Sequence, residues 1–495
     1  MQPVLPSTSE WPLFDAAATQ RIEARACEAL APHTLMRRAG LAVARLALAV
    51  APHARNVWVA AGPGNNGGDG LEAAIHLQQW GKQVHVSLIG DAVHLPAAAR
   101  DAWHRAHAAG VVIDADGHAP LATADLAIDA LLGIGASRAA QGALAKAIAQ
   151  LNALACPVLA VDVPSGLDAG TGQPLGEHCV VASHTLALLT LKPGLFTGSG
   201  RDHAGQVWFE SLGLDVLADT PASWLAASRL ANPQAARRHA QHKGSFGDVA
   251  VVGGSTGMTG AALLAARAAL GAGAGRVFVE LLGDAAAVDS VHPELMFRAG
   301  WSGSTADGLG HTTVVCGCGG GEAVRASLPR LVSGAARLVL DADGLNAVAS
   351  DTRLQTQLAG RAAKLLATVL TPHPLEAARL LGCSTSAVQA DRLAAAQSLS
   401  ERFACCVVLK GSGSVIAAKG QVPRINATGN AALATAGTGD VLAGWLGGLW
   451  AQAPGGSGFE VAIRAVRAHG AAAEPQPPGP LCATDLIDAL RRATR

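Results

Sequence analysis

No tyrosine occurs in the chain, so no phenol is available as a general acid or base. Excess charge of one sign is also missing: 37 Lys and Arg face 37 Asp and Glu, for a formal net charge of +0. A balanced chain has no electrostatic footprint for nucleic acid or another polyanion, so small molecules are the expected partners. The nine cysteines form no CxxC pair; Cys316 and Cys318 are one residue apart, Cys405 and Cys406 are adjacent, and the rest are scattered. That pattern excludes a disulfide framework and a cysteine zinc site. Among the 17 histidines there is no HExxH. Long apolar runs are absent as well. The most apolar helical stretch, residues 41–51, is too short to span a bilayer and contains Arg45. No Lys or Arg precedes Arg21, and no signal-type apolar core follows, so a cytoplasmic protein without a membrane partner is expected.

What is present is alanine and glycine. The 50% hydrophobic fraction is largely alanine and comes with 58 glycines, which suits closely packed α/β layers. A length of 495 residues exceeds one ordinary core, and two domains are expected. Residues 15–30 and 33–50 have apolar positions at helical spacing. The period then changes: residues 57–60 read as a buried strand that enters the glycine loop GPGNNGGDG, with a helix from residue 71 to 80. Strand, glycine loop and helix form the phosphate-cradling unit of open α/β sheets, although this spacing is not GxGxxG. Further strands are expected at 84–89, 111–113, 126–128 and 158–161, and two of them end in polar loops that begin at Asp129 and Asp162. In a parallel sheet these loops share an edge, so one crevice collects Asn66, Asp129, Asp162 and Ser165. Such oxygens suit a hard cation or a carboxylate base beside a nucleotide. Helix caps and an Asx turn would account for either aspartate alone.

The pattern loosens between residues 214 and 241, without a strand, and the linker is placed at 218–240. The βα alternation then restarts, with a strand at 248–252, a second glycine loop at 253–260 and a helix at 261–270. Strands follow at 276–281, 312–316, 337–340 and 367–370, then a hairpin at 406–418 around Lys410, Gly411, Ser412 and Gly413. This alternation predicts a second sheet covered on both faces. Near the end, NATGNAALATAGTGDVLAGWL sets a glycine turn against an apolar helix expected from Val441, where free backbone N–H groups and the helix dipole favour a phosphate. Asp440 beside that nest is either a helix cap or a base that takes a proton from an attacking hydroxyl.

GPGNNGGDG, DALLGIG and VDVPSGLDAGTG resemble the NAD(P)H-hydrate epimerase family over residues 11–217. The resemblance implies a Rossmann-like three-layer domain that interconverts the R and S epimers of hydrated nicotinamide cofactors. It implies substrate contacts at Asn65, Asn66, Gly67, Gly68 and Asp69 and at Gly133, Ile134, Gly135, Ala136, Ser137, Arg138 and Ala139. Asp162 would face the reactive ring as the catalytic group, and Asn66, Asp129 and Ser165 would hold K+.

HKGSFG, VVGGSTGMTGAA, HPELM, LVLDADGLNAVA, TPHPLEAARLLG, VVLKGSGSVIA and NATGNAALATAGTGDVLAG, over residues 241–493, resemble the ADP-dependent NAD(P)H-hydrate dehydratases of the ribokinase-like fold. That match implies that Lys410, Gly411, Ser412, Gly413, Ser414 and Gly439 hold ADP, and that Ala261, Gly319, His373 and Asp440 contact the hydrate. Asp440 would be the general base, and Glu376 would organise Mg2+ through water. The substrates would be NADHX and NADPHX, the products AMP, phosphate and NAD(P)H, and the assembly a homo-oligomer. Three positions depart from the family pattern: Gly317-Cys318-Gly319-Gly320-Gly321 replaces a GPGLG-like loop, Ala431-Ala432 replaces Pro-Gly, and Leu375 replaces Gly. The alternative is a ribokinase-like small-molecule kinase with an accessory nucleotide-binding domain, which leaves GPGNNGGDG without a purpose. A non-catalytic nucleotide-binding scaffold would not need the charged groups of Asp162, Lys410 and Asp440.

Overall fold

In the strand Asn56–Ala61, Val57, Val59 and Ala61 join one apolar cluster with Leu46 and Leu71, while Trp58 and Ala60 join another with Ile148 and Leu151. Successive side chains of a strand point to opposite faces, so this sheet is covered on both. The same alternation recurs in Asp248–Gly253, where Val249 and Val251 enter one cluster and Ala250 and Val252 another. Each sheet is therefore the middle of three layers, as expected for this α/β fold class. The computed structural model describes residues 1–115, 123–215, 219–228, 237–283, 288–475 and 479–493.

The chain divides into two compact units, Met1–Leu225 and Ala226–Arg495. In the first, the strand order is Gln2–Pro3, Gln206–Glu210, His184–Leu188, Val158–Val161, Leu126–Ala130, Asn56–Ala61, Gln83–Leu88 and Val112–Asp114. Only Gln2–Pro3 pairs antiparallel in it. In the second unit the order runs Met296–Phe297, Arg276–Leu281, Asp248–Gly253, Thr312–Cys316, Arg337–Leu340, Ala367–Leu370, Cys406–Leu409, Ser414–Ala417 and Arg424–Asn426. It is parallel as far as Cys406–Leu409 and antiparallel through the last two strands.

Several elements differ from expectation. The helix after the first glycine segment starts at Asn65 rather than Leu71, so Asn65 to Gly70 are helical and not a loop. Its glycines serve close packing: a Cβ at Gly67 would lie 2.0 Å from the Gly62 carbonyl oxygen, and one at Gly70 would lie 2.6 Å from Ala130 Cβ. The late helix likewise starts early, at Thr438, behind Gly437 with φ +88°. Strands His184–Leu188 and Gln206–Glu210 escaped the pattern reading because polar residues interrupt them; Thr185 is buried and donates to the Ala204 carbonyl at 2.7 Å. The stretch expected to lack strands contains Ser223–Leu225, paired antiparallel with Trp11–Leu13. Its partner is so distant in sequence that no local turn signal marks it. Of the expected linker, residues 218 and 229–236 lie outside the described residues. Among the described residues no helix is long and apolar enough to cross a membrane.

Candidate active sites

In the first unit, Leu126–Ala130 and Val158–Val161 are adjacent and parallel, so the segments after them leave the sheet at one edge. Asp129 is fully buried there. Its Oδ1 accepts from Ser165 Oγ at 2.6 Å and from the Leu131 N–H at 3.2 Å, and its Oδ2 accepts from the Ser165 N–H at 2.8 Å. Burial pushes the Asp129 carboxyl up to about 6, against the opposing effect of the Ser165 hydrogen bonds. Ser165 Oγ also accepts from the Leu132 N–H at 2.8 Å. Asn66 is buried with its side-chain nitrogen unpartnered, and a Cβ on Gly133 would be 3.4 Å from Asn66 Oδ1.

Beside this cluster opens a cavity of about 580 Å³ whose wall includes Asn65, Asn66, Asp69, Asp162 and the segment Gly133, Ile134, Gly135 and Ala136. Gly67 and Gly68 pack behind the wall, and Ser137, Arg138 and Ala139 are exposed outside it. Asp162 has a left-handed backbone, φ +70°, with its N–H donating to Leu186 O at 2.8 Å. Its Oδ1 accepts from the Leu188 N–H at 3.3 Å and forms a salt bridge with Lys192, whose Nζ also donates to Leu188 O at 2.8 Å. Lys192 is fully buried. Sequence reasoning passed over it, although a lysine inside the apolar run at 185–196 is a signal of a buried partner. Glu23, on the helix Ala16–Ala29, also faces the cavity and was missed, because its helix lies far from the glycine motifs.

The second cluster grows from four neighbouring parallel strands, Thr312–Cys316, Arg337–Leu340, Ala367–Leu370 and Cys406–Leu409, whose following segments emerge together. Lys410 Nζ donates to Asp341 Oδ1 at 2.6 Å and lies 4.0 Å from Glu376 Oε2. Thr371 Oγ1 donates to the same Asp341 oxygen at 2.9 Å. Asp440 is the third residue of the helix Thr438–Gln452 behind the cap residue Gly437, which rules out the capping role. Instead its carboxylate, an Asp341 oxygen and Cys318 Sγ all lie within 4.8 Å of one another. Burial, then the charge of Asp341, pushes Asp440 up to about 6, while the Cys318 thiol and Lys410 oppose the rise. Burial also lifts Glu376 to about 7, with Lys410 opposing. Burial works against the Lys410 charge, yet Asp341 and Glu376 outweigh it and the ammonium is stabilised.

The remaining expected contacts meet this cluster. A Cβ on Gly439 would lie 3.4 Å from Lys410 Nζ, so the helix N-terminus and the ammonium face one space. His373 caps the helix Pro374–Leu381: its Nδ1 accepts from the Leu375 N–H at 3.1 Å, and Glu376 Oε2 accepts from the His373 N–H at 2.7 Å. Gly411, Ser412 and Gly413 form the turn into Ser414, whose Oγ donates to Gly411 O at 3.1 Å. Arg392, fully buried and unforeseen, donates to the Leu409 and Lys410 carbonyls at 3.2 and 3.1 Å and so fixes that turn. Asp341 was likewise unforeseen as a site residue, although DADG directly after a strand places a carboxylate at the sheet edge.

Gly319 stands at φ +58°, where a Cβ would lie 2.6 Å from Met258 O and 2.9 Å from Ala261 Cβ. Gly319→Ala should therefore lower stability, by about 1–2 kcal/mol from the backbone alone, which denaturant midpoints check.

Family models match both halves: one described as YjeF-related protein N-terminus over residues 32–194, and one described as NAD(P)H-hydrate dehydratase over residues 249–492. The bifunctional NAD(P)H-hydrate repair enzyme Nnr of Escherichia coli is 36% identical, covering 93% of this chain and 89% of its own. The chain belongs to the bifunctional NAD(P)H-hydrate repair enzymes. The Coxiella burnetii member is 35% identical, covering 97% of this chain and 98% of its own. Among solved structures, the ADP/ATP-dependent NAD(P)H-hydrate dehydratase of Bacillus subtilis, co-crystallised with ATP and Mg2+, is 28% identical with a TM-score of 0.43, covering 54% of this chain and 94% of its own. The enzyme is thus an epimerase joined to a dehydratase, acting on hydrated nicotinamide cofactors, and the small-molecule kinase reading is not favoured.

Proposed function

We propose that the two halves divide the repair, the unit Met1–Leu225 interconverting the R and S hydrates and the unit Ala226–Arg495 dehydrating the S hydrate with ADP. The observation that carries the second assignment is the placement of Asp440 in the first turn of a helix whose N-terminus faces Lys410, where burial and the charge of Asp341 push its carboxyl up to about 6. Asp440 takes the proton of the C6 hydroxyl as that oxygen attacks the β-phosphoryl group of ADP, and AMP leaves. The N–H groups at Thr438 and Gly439 and the Lys410 ammonium receive the charge that develops on phosphorus. The ring nitrogen then expels the phosphate, and loss of a C5 proton restores NAD(P)H. Incubation with the hydrate mixture and ADP or ATP, followed by NAD(P)H absorbance, tests the assignment.

Three carboxyl groups, Asp341, Glu376 and Asp440, surround the single ammonium of Lys410, an excess of hard oxygen donors that fits Mg2+. Bound there with the nucleotide, Mg2+ would screen the phosphate charges, with Glu376 and Asp341 holding it directly or through water. In the first unit, the Asp129 carboxylate, the Ser165 hydroxyl and the Asn66 amide oxygen, which lies next to Gly133, are oxygens of the kind K+ takes, and the ion would order the Leu131 to Gly133 segment. Replacing K+ by a bulky organic cation should lower the epimerisation rate and the melting temperature. A rate and a Tm both indifferent to the exchange would remove K+ from the site.

A further inference from the structure

The cavity of the first unit holds more titratable groups than one proton shuttle requires. Asp162 enters from the end of Val158–Val161, Asp69 from the second turn of the helix Asn65–Gln79, and Glu23 from the helix Ala16–Ala29, so three separate elements bring a carboxyl to the one cavity. They are not equivalent. Asp162 is tied to the buried ammonium of Lys192 and to the Leu188 N–H. Asp69 has neither kind of partner, since among the described residues no ion pair or hydrogen bond to its carboxyl occurs.

We propose that epimerisation uses two carboxyl groups on different elements of this cavity, Asp69 giving a proton to the departing hydroxyl and Asp162 taking one from the incoming water, with Lys192 as the positioning residue for Asp162. The inference rests on the first unit being the epimerase. In the step itself, the ring nitrogen lone pair forms the C=N bond of an iminium ion as the C6–O bond breaks. The hydroxyl leaves as water with the Asp69 proton. A water on the opposite ring face then adds to C6, the iminium electrons return to nitrogen, and the water's proton passes to Asp162. Transfer of that proton back to Asp69 through water in the cavity resets the enzyme, and no other reactant is consumed. Two groups on separate elements give each ring face its own proton carrier, which a single carboxyl cannot do without moving across the ring.

The electrostatics agree with this assignment. Removal from water, then the neighbouring charges of Asp162, Glu23 and Glu72, raise the Asp69 carboxyl well above its ordinary range, and Lys192 only partly opposes them. The Asp69 proton is thereby retained where an ordinary carboxyl has lost it. Such a group binds more protons folded than unfolded, so it destabilises the fold as pH rises above the ordinary carboxylate range.

The test uses the full-length enzyme without nucleotide, so that only epimerisation proceeds, with R and S hydrate resolved by chromatography. Asp69→Asn should lose about 10²- to 10⁴-fold in kcat with KM little changed, and its Tm should exceed that of the wild type by a margin that widens with rising pH. The wild-type rate should fall on both sides of an optimum, the alkaline limb reporting Asp69 among its neighbours Asp162, Glu23, Glu72 and Lys192. Asp69→Asn with kcat within about threefold of wild type, or a wild-type profile lacking the alkaline limb, would overturn the two-carboxyl proposal. If Asp162→Ala also kept full epimerisation, the placement of the epimerase site itself would fall.

Discussion

Asp440→Asn should abolish dehydration while leaving nucleotide binding intact, a loss of about 10²- to 10⁴-fold in kcat. Asparagine keeps the shape of the side chain in the first turn of Thr438–Gln452 but cannot accept the hydroxyl proton. The backbone N–H groups of that turn and Lys410 remain, so ADP affinity measured by calorimetry should change by less than a factor of a few. The wild-type pH profile gives an independent check. With a carboxyl raised to about 6, the base form accumulates as pH rises through that value, and kcat/KM should fall below it. Dehydration within a factor of a few of wild type in Asp440→Asn would falsify the base assignment.

The second large effect concerns the other unit. Asp162→Ala in the full chain should leave the initial rate on S hydrate unchanged and reduce consumption of R hydrate to its spontaneous epimerisation. The change removes the carboxyl paired with Lys192, and among the described residues it leaves the buried ammonium with the Leu188 carbonyl as its hydrogen-bond partner. A buried charge that loses its partner costs about 3–5 kcal/mol, so the Tm of the unit should fall as well. Asp162→Asn separates the two effects, because the amide oxygen still accepts from Lys192 while the proton acceptor is gone. If R hydrate disappeared at the wild-type rate in both variants, Asp162 would have no part in epimerisation.

Much of this enzyme was legible without coordinates because its information is local. Strands such as Arg276–Leu281, Thr312–Cys316, Arg337–Leu340 and Ala367–Leu370 are short apolar runs between turn residues, and their bounds follow from composition alone. The glycine segments mark where backbone approaches backbone, and the ordered motifs name the family. Glycine density nevertheless misled on conformation: at Gly67 and Gly70 it means contact with Gly62 and Ala130 across a helix that is already formed, a distinction that neighbours in space decide.

Asn66, Asp129, Asp162 and Asp440 could be singled out as candidates from motifs, but their surroundings could not. Whether Asp440 caps its helix or stands ready as a base depends on Gly437 taking the cap and on Asp341 and Cys318 meeting it from two other segments. Lys192, Glu23, Asp341 and Arg392 gain their importance from partners distant in sequence, such as Leu409 for Arg392 and Asp162 for Glu23. A carboxyl's proton affinity is set by burial and by charges within a few ångströms. Sequence determined which groups are available and on which strand ends they sit; tertiary structure alone decided which of them share a cavity and which carboxyls burial and neighbouring charge push upward.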